Sequence, residues 1–164
     1  MAQKTAMLRS PLNLALDLGE MKPNVHMTKV WFDDDMVELK IDVSDGTSIF
    51  STKVYVGYDP LDQVVSDLDV FKTRIHGGLF DLRFGEFGPE WGSGAFHARF
   101  HFAKSGRLFI TCKLQSGFAK FGEKNVASET TLYLQTEPVL LDKFVAELKS
   151  LNAKKTDVAQ LEAI

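Results

Sequence analysis

Residues 77–102 read GGLFDLRFGEFGPEWGSGAFHARFHF, and this stretch decides the fold. Phe80, Leu82 and Phe84 alternate with Asp81, Arg83 and Gly85. After a connection rich in Gly, Pro and Trp, residues Phe96, Ala98, Phe100 and Phe102 alternate with His97, Arg99 and His101. Apolar residues at every second position put one face of a strand in a core and leave the other wet, the pattern of an antiparallel sheet covered on one side. Function then belongs to the wet face and to the loops at its ends.

Outward from this pair, the same period recurs. Val25–Phe32 reads as a strand stopped by Asp33, Asp34 and Asp35, whose mutual repulsion keeps them in a solvated turn. Met36–Val43 alternates Val37, Leu39, Ile41 and Val43 with Glu38, Lys40 and Asp42, and Ser44-Asp45-Gly46 supplies the turn into a return strand, Ile49–Val56. Asp59-Pro60 predicts a helix start, with Asp59 as N-cap and Pro60 in the first helical position. Leu61, Val64, Val65, Leu68, Phe71 and Ile75 follow at helical spacing, and Gly77-Gly78 ends the run. Lys104-Ser105-Gly106 turns the chain into a strand over Leu108–Leu114. Ser116–Ala127 reads as a loop, and Thr130–Gln135 as the last strand. Glu137-Pro138 opens a second helix with Leu140, Leu141, Phe144, Val145, Leu148 and Leu151 on one face. In the N-terminal segment 1–24, leucines alternate over residues 12–18 as in a strand. Residues 153–164 extend the second helix or form a tail. One domain over residues 1–164 is expected. Its fold is α+β and two-layered: a twisted, mainly antiparallel sheet of six to eight strands with two helices packed on one face.

Composition narrows the chemistry. Thirteen Phe against three Tyr and two Trp favour a packed core over a stacking surface. A formal net charge of −3 gives no general attraction to nucleic acid or an anionic membrane and mildly favours a basic partner. No apolar run approaches the ~20 residues that span a bilayer. The lone Cys112 lies in an apolar run and fits a reducing compartment, so the cytoplasm is the expected location.

No residue cluster spells out an enzyme. His97 and His101 lie four apart on a strand, not a helix, so their rings stand about 13 Å apart and share no ion. With Arg99 they form a polar row suited to directional contacts. Asp33–Asp35 with Glu38 lack the glycine and terminal glutamate of a calcium loop. Glu86 and Glu90 flank a Gly-Pro turn without a separation that would assign acid–base roles. Trp91 either folds back on the core, the expected outcome, or is held out as a binding anchor. Motifs of serine hydrolases, zinc hydrolases and phosphate loops are absent. No catalytic residue, metal site or cofactor is expected.

WFDDDMVELKIDVSDG near the front, one helix after Asp59-Pro60, and TTLYLQTEPVLLDKFVAELKSL near the end form an ordered series. Across residues 25–152 this layout resembles small cytoplasmic immunity proteins that neutralise bacterial polymorphic toxins, of the wall-associated-toxin type. The resemblance implies a protein that binds one cognate toxin tightly and blocks it without chemistry of its own; it transfers no site residue. A basic toxin would be steered by local acid. The partner-binding candidates are Asp33, Asp34, Asp35, Glu38, Glu86 and Glu90, with Trp91, His97, Arg99 and His101. Oligomeric state stays open, a homodimer included. Two other readings stand beside this one: a small-molecule-binding or structural module with a Phe-lined pocket, and a small enzyme or metal protein using His97, His101, Glu86 or Glu90.

Overall fold

The computed structural model describes residues 20–164; the strand expected over residues 12–18 lies outside them. Ten strands and two helices follow in the order β1 (Asn24–Phe32), β2 (Met36–Ser44), β3 (Ile49–Gly57), α1 (Tyr58–Phe71), β4 (Leu79–Phe84), β5 (Ala95–Phe102), β6 (Leu108–Gln115), β7 (Ala119–Phe121), β8 (Lys124–Val126), β9 (Glu129–Thr136), α2 (Pro138–Asn152) and β10 (Val158–Glu162). The fold is α+β with antiparallel sheets. The strands divide into two four-stranded sheets, ordered β10-β1-β2-β3 and β4-β5-β6-β9, and a two-stranded ribbon, β7-β8.

Each main sheet has one apolar face. Val37, Leu39, Ile41 and Val43 of β2 are buried, as are Leu108, Ile110, Cys112 and Leu114 of β6. Both faces feed one hydrophobic cluster, completed by Leu61, Val65, Leu68 and Phe71 of α1 and Leu141, Phe144, Val145, Leu148 and Leu151 of α2. Phe71 sits in an aromatic nest, its ring centre 5.0 Å from Phe102, 5.7 Å from Phe80 and 6.1 Å from Phe100. The phenylalanine bias is therefore largely core. The helices lie against each other, and Asp69 of α1 ties them by pairing with Lys149 of α2 at 3.0 Å as well as with Lys72. Hydrogen bonds from Lys72 and then Lys149 hold the Asp69 carboxyl below its ordinary range.

Four local expectations are corrected. Helix α1 begins two residues early, with Gly57 as N-cap; the Tyr58 N–H is satisfied by the Asp35 carbonyl at 3.1 Å, and Pro60 still falls in the first turn, where no N–H is needed. The same helix ends at Phe71, so Ile75 packs on the core from a turn rather than from the helical stripe. The segment 116–127 is not a bare loop: Gly122, at φ +62°, turns a short exposed ribbon. Residues 158–162 form β10 rather than helix or tail, because α2 closes at Asn152 and Ala159 and Leu161 bury on the β1 edge.

The two sheets are joined at two points. Thr52 of β3, buried, donates its hydroxyl to the Gln115 carbonyl of β6 at 2.7 Å. Gly94 is wedged into this contact: a Cβ there would overlap the Thr52 hydroxyl and stand 2.6 Å from the Lys53 carbonyl and 2.9 Å from that of Gln115. On the other side, Thr136 donates its hydroxyl to the Glu162 carbonyl at 2.6 Å, and the Ile164 N–H reaches the Gln135 carbonyl at 2.8 Å. Because backbone walls Gly94 on two sides, Gly94→Ala is expected to destabilise the protein by about 1–3 kcal/mol or more in denaturant melts. The nearby Gly92→Ala, which meets open space, should stay within about 0.5 kcal/mol of wild type.

Candidate functional site

Strand β1 carries the feature that shapes the most prominent site. Lys29 pairs in register with Leu39, but the next paired residues are Trp31 and Glu38, which leaves Val30 as the extra residue of a bulge. Without it, Trp31 would continue the inward series of Val25 and Met27. A bulge reverses side-chain direction and sharpens local twist. Trp31 instead points outward, 45 % exposed, edge-on to Tyr55 of β3 with ring centres 6.2 Å apart. Glu38 lies between them on β2, in register with both. Lys29, just before the bulge, turns its chain inward to pair with Asp157 at 2.9 Å, with its ammonium 4.9 Å from the Phe32 ring centre.

The acidic turn sits directly beyond. Asp33 folds it by accepting the Asp35 and Met36 N–H groups on one carboxylate oxygen at 2.8 and 2.9 Å, leaving Asp34 and Asp35 in solvent. Exposed Phe32 and Met36 flank the turn. This end of the first sheet thus combines Trp31, Tyr55 and Phe32 with Asp33, Asp34, Asp35 and Glu38. Beside it, a groove of about 360 Å³ runs between Glu38, Lys53 and Tyr55 on the sheet and Gly94 and Ser116 at the junction with the second sheet.

The remaining candidates lie elsewhere. Glu86, Glu90 and Trp91 occupy the β4–β5 loop, and Trp91, expected in the core, is 56 % exposed. Phe87, the other aromatic residue of that loop, packs on His97 instead, with ring centres 4.7 Å apart. His97, Arg99 and His101 stand in a row on the outer face of β5, as their alternation predicts. His97 donates its Nε2 proton to the Gly85 carbonyl at 3.0 Å and meets Phe87 edge-on. Arg99 grips Asp81 across the strand pair with two bonds of 2.7 and 2.9 Å. That grip, chiefly by hydrogen bonding, holds the Asp81 carboxyl below its usual range. The ten candidates therefore separate into three places, and the acidic four share theirs with three exposed aromatics, Trp31, Phe32 and Tyr55. Trp31, Phe32 and Tyr55 escaped the sequence reading; the one signal for the first two was the run Val30-Trp31-Phe32, which breaks the alternation of β1.

Among the described residues, no group of three or more His, Cys, Asp or Glu side chains could hold a metal ion, and no helix is long and apolar enough to cross a membrane. Cys112 is fully buried and burial pushes its thiol up to about 12. Such a thiol is not a nucleophile at neutral pH. It should resist a thiol-labelling reagent at pH 8 until the protein unfolds; prompt labelling under native conditions would refute its burial. The sign for stability follows. Only the unfolded thiol ionises as pH rises from 9.0 towards about 12, so this group's contribution to stability is intact below that window and lost across it.

Comparison with known proteins finds no match among family models, curated sequences or solved structures.

Proposed function

We propose that this chain is a binding inhibitor of the immunity-protein type: it docks a basic protein toxin on the Trp31 end of its first sheet and blocks it without turnover. The bulge at Val30 carries the reading, because it takes an indole that the strand period would bury and holds it in solvent beside Tyr55 and Glu38. Large aromatics ringed by polar groups are the anchors of protein interfaces, and charge at the rim speeds encounter. Asp33, Asp34, Asp35 and Glu38 supply that charge within one turn and one strand of the indole. The partner's matching surface is basic. Cys112, a free buried thiol, suits action in the reducing cytoplasm.

The pocket-forming alternative has less to stand on. Phe71, Phe84, Phe96, Phe100, Phe102 and Phe144 are spent on the packed core, and the groove beside Tyr55 holds none of them.

The experiment pairs the tagged chain with a toxin domain encoded beside it. The complex should be stoichiometric, and co-expression should relieve the toxin's growth arrest. Trp31→Ala should weaken the complex by about 30-fold, the scale of an interface hot spot of about 2 kcal/mol. Reversal of Asp33, Asp34 and Asp35 to Lys should slow association and remove most of its salt dependence. Unchanged affinity in both variants, with the fold intact, sinks the assignment of this surface. A substrate turned over by the purified chain sinks the inhibitor reading.

A further inference from the structure

The outer face of the second sheet sets cations and aromatic rings in ordered rows. Strand register places Arg83, His97, Lys113 and Thr131 in one row, then Asp81, Arg99, Thr111 and Tyr133, then Leu79, His101, Phe109 and Gln135. A concavity of about 340 Å³ lies over the first two rows, with Arg83, His97, Arg99 and Lys113 around it. Asp81 is committed to Arg99, and Glu129 at the far end, bonded by the neutral Gln115 amide, is the one acid of the face that keeps its charge. Among the described residues, Arg83 and Lys113 are in no ion pair. Neither is held by a direct carboxylate partner, so both can turn to an anion.

The rows beyond offer flat apolar surface. Tyr133 is 71 % exposed and Phe109 is also exposed; they are diagonal neighbours on adjacent strands, spaced about 7–8 Å. The face thus grades from free cations to exposed rings across three rows. An acidic peptide would use only the first part of it. A nucleic-acid duplex hides its base faces, whereas a single strand offers phosphates and unstacked bases together.

We propose that this face binds single-stranded nucleic acid, with phosphates over Arg83 and Lys113 and bases stacked on Tyr133 and Phe109. The net charge of −3 is a whole-chain sum that includes the Asp33–Asp35 turn of the first sheet, whereas the rows of this face carry Arg83, Arg99 and Lys113 against Asp81. The face shares no residue with the Trp31 surface, so each reading can fail alone.

The test is fluorescence anisotropy of the full chain with labelled twelve-nucleotide uridine and thymidine strands. Binding is expected, weakening between about 50 and 200 mM salt with a log–log slope near −1.4, as two phosphate contacts on a single strand require. Arg83→Glu with Lys113→Glu should reduce affinity at least about tenfold and flatten the slope. Tyr133→Ala, an exposed position that leaves the fold intact, should cost about fivefold or more with the slope unchanged. Trp31→Ala should have no effect. The proposal is overturned by no binding at about 100 µM protein, the weak end for phosphate-driven association. Equal binding of a duplex, equal competition by poly-glutamate, or indifference to both sets of substitutions overturns it as well.

Discussion

Thr52, Gly94 and Gln115 set the constraint on which the rest of the structure depends. Strand β3 crosses the end of β5 and β6 so closely that only a hydrogen at the Gly94 α-carbon fits, and the buried Thr52 hydroxyl must find its acceptor there. A buried hydroxyl without a partner costs on the order of 1–3 kcal/mol, so the Gln115 carbonyl fixes the crossing as well as permitting it. The Gln115 side chain extends the same joint, accepting the Gly88 N–H of the β4–β5 loop at 3.2 Å and donating to Glu129 of β9. One buried residue thus sets the approach of the sheets and tethers the loop that carries Glu86, Glu90 and Trp91. The clasp between β10 and β9 closes the opposite side, and the helix pair fills the space over the core.

With both sheets anchored this way, the bulge at Val30 can hold an exposed indole without loosening the strand. Residues Val25 and Met27 before it are buried, and Lys29 is locked to Asp157 through both its backbone N–H and its ammonium. Beyond the bulge, the acidic turn is tied to the start of α1 by the bond from Tyr58 to the Asp35 carbonyl. The aromatic and acidic groups are therefore presented on backbone fixed at both ends, and a rigid anchor loses little entropy on binding.

What the sequence made legible follows from how local each signal is. Period-two alternation in β2, β5 and β6 and helical spacing in α2 are properties of neighbouring residues, so those elements and their buried faces could be read directly. Strand β10 was not: its five residues offer one apolar pair, Ala159 and Leu161, and their partner β1 lies more than 120 positions away. The division into two sheets was equally hidden, since it rests on the contact of Gly94 with Thr52, which no period encodes. Trp31 escaped the reading for a related reason. A bulge adds one residue against a partner strand, and a chain read without its partner has no register to break. Trp91 failed differently, because a glycine-rich loop carries no pattern that says which way an indole points.

Whole-chain charge says least about surfaces. A value of −3 is a sum over 19 cations and 22 anions, and sheet register sorts them before any partner meets them. On the first sheet the sorting leaves Asp34, Asp35 and Glu38 beside Trp31 and Tyr55. On the second it spends Asp81 on Arg99 and leaves Arg83 and Lys113 flanking His97. Coulomb attraction in salt reaches only about 8–10 Å, so a docking molecule responds to such local sets rather than to the sum. Cross-strand pairing is therefore the step that turns composition into chemistry here: the residue opposite each charge decides whether it is neutralised within the sheet or offered to solvent.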